Sequence, residues 1–107
     1  MANPNEVWGR RLKEARERLN ISQRELGISA GIDAFVASTR INRYELGIHK
    51  ADFPTSQRLA TVLGIPVAYL YSDNEGLAEL LLLFGQMTEG QRARLLSKLN
   101  RSLDTEG

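Results

Sequence analysis

Apolar residues recur along this chain at helical spacing, in blocks separated by glycine, proline and short polar stretches. Val7, Trp8, Leu12, Ala15 and Leu19 fall near one stripe, with Arg10, Arg11, Lys13, Glu14 and Glu17 mostly outside it. That pattern predicts an amphipathic helix over 7–19, ended by Asn20. Ser22 and Glu25 have the S-x-x-E spacing of a capping box, which opens a second helix over 23–29. Gly31 supplies the positive φ that ends it, Asp33 is placed to cap a third helix over 34–46, and Gly47 stops that one. A polar connection with Asp52 leads to a fourth helix over 54–63, terminated by Gly64. Pro66 suits the first turn of a short fifth carrying Val67, Leu70 and Tyr71.

Ser72-Asp73-Asn74 reads as a junction. Beyond it Leu77, Leu80, Leu81, Leu82, Leu83 and Phe84 make a helix apolar on more than one side, and Thr88 to Gln91 is a second capping box. It opens a last helix with Leu95, Leu96, Leu99 and Leu103. No segment alternates as a strand does. The expected fold is all-α, with about seven helices: a five-helix unit over 1–72 and a leucine-rich two-helix extension over 73–107.

Composition narrows the chemistry. At 107 residues the chain suits one domain with an appended element. It has no cysteine and a single histidine, His49, so disulfides, thiolate metal sites and cysteine nucleophiles are excluded and no cofactor or metal is expected. Residues 1–7 lack an apolar targeting segment, and the run from Leu80 to Phe84 is far shorter than the roughly 18 residues of a membrane span, so a soluble cytoplasmic protein is expected. The net charge of +1 is divided unevenly. Residues 1–72 carry ten Lys and Arg against seven Asp and Glu, and residues 73–107 carry four against six. The first part can approach phosphate, and the tail cannot.

Two short capped helices joined by a glycine turn, over 21–47, have the layout of a helix-turn-helix, a reader of DNA grooves. The ordered set Ser22-Gln23-x-Glu25-Leu26, Ala30-Gly31-Ile32, Ile41-x-Arg43-Tyr44-Glu45-x-Gly47 and Leu59-Ala60-x-x-Leu63-Gly64-Ile65-Pro66-x-x-Tyr69-Leu70 resembles the phage-repressor and Cro-type (XRE) helix-turn-helix family. The resemblance covers residues 7–71 and implies a five-helix, lambda-repressor-like DNA-binding domain that works as a dimer on a palindromic operator. It also implies an ion pair between Arg16 and Glu45. One departure stands out, because Gly31 and Glu45 lie fourteen residues apart where the family has about ten. The surplus is about one helical turn, roughly 6 Å of helix. Either it lengthens the third helix at its start, which is the expectation taken here, or it lengthens the turn before a helix of ordinary length.

On a helical wheel Phe35, Ser38, Thr39, Asn42 and Arg43 share one face of the third helix and Ala34, Ala37, Ile41 and Tyr44 the other. The second set is the expected core. The first has the chemistry of base reading, since Arg pairs with guanine, Asn with adenine, and Ser or Thr with either bases or phosphates. The resemblance places Ser38, Thr39 and Arg43 where the family reads bases, and Gln23 where it meets the DNA backbone. Lys50 is placed to reach a flanking phosphate, whereas His49 reads as a loop position. Phe35 has three open assignments: packing against Ile28, which ranks first, contact with a thymine methyl, or contact with a partner.

The tail has more leucine than a lone surface helix needs. It either folds back on the five-helix unit or pairs with the same segment of a second chain. Pairing is favoured, because a two-fold protein fits a two-fold operator. These readings converge on a sequence-specific transcriptional regulator, a repressor acting as a homodimer on double-stranded DNA. With some 35 residues outside the DNA-binding unit, no separate sensor domain is expected. The alternative is an antitoxin-like or adaptor protein whose tail mainly holds a protein partner. An enzyme is disfavoured, because no acid, base or nucleophile motif surrounds Glu45 or any other candidate.

Overall fold

Most of the helices begin where a side chain satisfies their first amide groups. The computed structural model describes residues 3–106. There Asn3 Oδ1 accepts from Asn5 N at 2.8 Å and Pro4 occupies the first turn, so α1 runs Pro4–Arg18 and starts a turn before its apolar stripe. In α2, Gln23–Ser29, the reciprocal bonds of Ser22 and Glu25 are both made, at 3.0 and 3.2 Å. Asp52 caps α4, Phe53–Leu63, through Thr55 N, and Asn74 caps α5, Glu75–Gly85, through Leu77 N. Thr88 and Gln91 form the second predicted box, at 2.9 and 3.1 Å, ahead of α6, Glu89–Glu106. A 3₁₀ helix, Val67–Tyr71, joins α4 to α5. Asn20, Gly31, Gly47 and Gly64 all have positive φ where helix ends were expected, and the described residues are all-helical as the pattern requires.

The third helix differs from expectation. It is Ala37–Glu45, nine residues long, so the surplus residues lie in the preceding turn and do not extend the helix. Asp33 does not cap it. Its carboxylate accepts from Phe35 N at 2.8 Å and its carbonyl from Val36 N at 3.1 Å, which closes a separate turn, and Val36 precedes α3 without giving it a side-chain cap. Ala34 is therefore exposed rather than core, and Phe35 does not pack on Ile28: it is 98% exposed.

α1, α2, α3, α4 and the 3₁₀ helix enclose one core, in which Leu12, Leu26, Ile41, Leu59 and Leu70 are fully buried. Trp8 meets Tyr44 edge to face, with ring centroids 5.6 Å apart. α2 and α3 cross so closely that a Cβ on Gly27 would lie 2.8 Å from Ala37 Cβ. Arg11, expected on the polar side of α1, is buried, and Leu19, expected on the apolar stripe, is half exposed.

Arg11 joins this body to the tail. Its Nε donates to Ser72 O at 2.7 Å, its two terminal nitrogens pair with Glu14 and Glu75 at 3.1 and 3.0 Å, and its guanidinium stacks 5.4 Å from the Tyr69 ring centroid. Burial alone would raise the Glu14 carboxyl, but hydrogen bonds from Tyr69, Arg11 and Arg10 hold it below its ordinary value. The inner face of α5 then packs on the core through Ala78, Leu81 and Leu82. Among the described residues, α6 packs lengthwise on no other element. Only its start is tied back, by Arg92, which donates to Phe84 O at 2.9 Å and covers the Phe84 ring at 4.9 Å. The projecting helix makes the molecule 55 Å long and raises its radius of gyration to 15.9 Å, against roughly 13 Å for a compact chain of this length.

Candidate nucleic-acid interface

The helix-turn-helix is fixed to the body by a chain of polar contacts that begins with a buried ion pair. Arg16 of α1 grips Glu45 of α3 through two bonds, Nε to Oε2 at 2.6 Å and Nη2 to Oε1 at 3.0 Å, and its third nitrogen donates to Ile21 O at 3.0 Å. This is the expected Arg16–Glu45 pair. The Glu45 bond raises the Arg16 guanidinium above its ordinary value, against the opposing effect of burial. Gln23, at the first position of α2, donates from Nε2 to Glu45 Oε1 at 3.0 Å and to Asn42 Oδ1 at 3.1 Å. One amide group thus ties the start of α2 to the outer face of α3. Both hydrogens of the Gln23 amide are thereby engaged.

That outer face is polar and exposed. Ser38, Thr39, Asn42 and Arg43 are all solvent-accessible, while Ala37, Ile41 and Tyr44 are buried, so from Ala37 onward the two predicted faces are correct. Glu45 anchors this register from the far end of the helix. The displaced start of α3 therefore leaves Arg43 where the pattern put it. Lys50 and His49 are exposed beyond the C-terminal end of α3, and together with Val36, Thr39, Arg40 and Arg43 they line a shallow groove. Arg40 and Val36 were not singled out from the sequence. Arg40 sits three residues before Arg43, a spacing that brings both guanidiniums to one edge of the helix.

Charge is arranged asymmetrically here. The acids of this region are each engaged: Glu25 in the capping box, Asp33 in the turn, and Glu45 with Arg16. Among the described residues, Arg24, Arg40, Arg43 and Lys50 form no ion pair. Uncompensated cations around a polar helix face match a phosphate-lined groove, both in sign and in hydrogen-bonding capacity. No group of three or more His, Asp and Glu among the described residues could hold a metal, and no helix is long and apolar enough to cross a membrane.

Comparison with known proteins bears on the same region. The family model described as Helix-turn-helix matches residues 12–70. Proteins of Sinorhizobium medicae and Rhizobium meliloti, both named as uncharacterized HTH-type transcriptional regulators, are each 31% identical over 75 residues, which is 69% of this chain and 51% of theirs. The chain thus spans about half the length of the curated relatives it matches. The crystal structure of the transcriptional regulator BswR superposes with a TM-score of 0.86 at 41% identity, over 92% of this chain and 98% of that one. Coverage of that extent includes the tail as well as the body.

Proposed function

This chain belongs to the helix-turn-helix family, and from that premise we propose that it is a sequence-specific DNA-binding transcriptional regulator, acting in the cytoplasm as a homodimeric repressor on a palindromic operator. In this reading residues 1–72 are the DNA-binding unit and residues 73–107 the dimerisation element. α3 enters the major groove. Ser38, Thr39, Asn42 and Arg43 read base edges, Lys50 holds a flanking phosphate, and Gln23 positions the protein against the DNA backbone while fixing Asn42. Repression is the regulatory sign that needs nothing beyond occupancy, because a protein clamped on its operator excludes other proteins from it.

The observation that carries the reading is the rigid polar face of α3, anchored through Gln23, Glu45 and Arg16 and ringed by cations that have no acidic partner. Dimerisation is supported by the tail, where Leu77, Leu80 and Leu83 of α5 and Leu96, Leu99 and Leu103 of α6 are 42% to 65% exposed. A second copy would cover them. The same exposed leucines favour the alternative, an adaptor or antitoxin-like protein whose tail holds a different protein. Selection of bound sequences from a random duplex library tests both. Enrichment of an inverted repeat supports the dimeric regulator, whereas no enriched sequence together with a stoichiometric copurifying protein supports the adaptor.

A further inference from the structure

Phe35 sits in the turn two residues ahead of α3 and touches almost nothing of its own chain. It is 98% exposed, more than any other large hydrophobic residue described. Its backbone is nevertheless held. Phe35 N donates to Asp33 Oδ1 at 2.8 Å, Val36 N donates to Asp33 O at 3.1 Å, and Arg40 N donates to Val36 O at 2.8 Å, so the turn is bonded directly into the first turn of α3. Ile28 and Val36 are themselves about two-fifths exposed and available as packing partners, but the ring covers neither. The fixed turn holds it out in solvent, where it gains no burial from its own fold.

We propose that Phe35 is a specificity-determining residue that packs against a thymine methyl group in the major groove. The inference rests on the DNA-binding reading above and adds to it a base-dependent apolar contact. In a helix-turn-helix the N-terminal residues of the second helix touch base edges, and Phe35 lies two residues ahead of the first residue of α3. The base edges of that groove carry hydrogen-bonding groups and one apolar feature, the thymine C5 methyl. A second copy of this chain is a poor occupant. Joining two such faces would bring Arg24, Arg40, Arg43 and Lys50 toward their own duplicates, and none of these has an acid to offset it. Insertion as a wedge between base steps is also disfavoured, since wedging residues work from the minor groove.

Deoxyuridine differs from thymidine only by the absent methyl, so it removes this contact and no hydrogen bond. With the operator recovered from the library, each thymine of a half-site is replaced in turn by deoxyuridine, and affinity is measured for the full chain and for Phe35→Ala. The wild type is expected to lose about four-fold at one thymine position in each half-site, the worth of one buried methyl. Phe35→Ala is expected to bind the two duplexes equally, and Phe35→Leu to keep part of the difference. Because the ring is unpacked, Phe35→Ala should melt as the wild type does. The proposal is overturned if no thymine shows the effect, if the effect survives in Phe35→Ala, or if Phe35→Ala instead changes the oligomeric state. Those outcomes leave the regulator reading intact; failure of the wild type to bind any duplex would overturn both.

Discussion

The body and the tail place the same kind of side chain in opposite surroundings. In the body, Leu12, Leu26, Leu59 and Leu70 are fully buried, whereas in α6 Leu96, Leu99 and Leu103 are 52%, 42% and 65% exposed. Each helix of the body has most of its apolar stripe covered by another helix of the same chain. Beyond Leu95, which is half-buried near its start, the described stripe of α6 is left exposed. Burying a leucine stabilises by about 1.5–3 kcal/mol, so a row of uncovered leucines is a standing drive toward association. α5 belongs to both regions, with Ala78, Leu81 and Leu82 turned to the core and Leu77, Leu80 and Leu83 turned outward. The contrast teaches that periodicity identifies an apolar face but not what covers it.

The joint between the regions is the place to break that contrast most strongly. Arg11 is buried and serves Ser72 O, Glu14 and Glu75 together, so Arg11→Met would leave the Ser72 carbonyl without its donor, while Glu14 and Glu75 keep Arg10. Leaving a buried acceptor unpaired costs about 1–3 kcal/mol. Chemical denaturation of the full chain should show a loss of that size, and a loss under 1 kcal/mol would mean that α5 is held by its apolar face alone.

Within the body, Gly27→Ala should cost about 1–3 kcal/mol by forcing a methyl into the α2–α3 contact. It should also weaken DNA binding, because the relief available is a shift of α3 away from α2. Ala37→Gly on the same chain removes the opposing methyl, so a double-mutant cycle should show the two changes partly compensating.

Under the proposed function, two substitutions separate base reading from phosphate contact. Arg43→Ala should relax preference at one base pair of each half-site by about 1–3 kcal/mol. Lys50→Ala should instead weaken binding to all sequences alike and reduce the slope of log affinity against log salt by about one per subunit. Affinity for the operator and its single-base variants across a salt series separates them. Unchanged base preference in Arg43→Ala would move the reading toward Phe35, Ser38 and Thr39.

The smallest effect expected is on pH. The Glu14 carboxyl is held below its ordinary value in the folded chain, so its contribution is complete above the unfolded value and is lost as pH falls through the lower folded one. Stability should therefore decline on acidification in the carboxylate range, and Glu14→Gln should decline less steeply. Equal slopes for the two proteins would remove Glu14 from the account.

The misses have a common physical cause. α2 and its capping box were legible because Ser22 and Glu25 satisfy each other locally, and the outer face of α3 because Ile41 and Tyr44 fix its phase. Asp33 misled because the same carboxylate can accept an amide two residues on either as a helix cap or as an isolated turn. The choice depends on tertiary packing. Arg11 was misplaced because its partners, Ser72 and Glu75, lie more than sixty residues away, beyond the reach of any wheel. The outer face of α3 was legible in residue type and phase, but the link from Gln23 through Asn42 and Glu45 to Arg16 required three helices to be in place.

If the body reads DNA while the tail joins two bodies, light scattering tests the division most directly. The full chain at micromolar concentration should have about twice its single-chain mass of 12.0 kDa. A chain ending at Met87, which keeps Arg11, Glu75 and the inner face of α5 but lacks α6, should fold and have the mass of one chain. A full-length protein that remains a single chain, both free and on its operator, would contradict the account and make the tail an appendage of its own body.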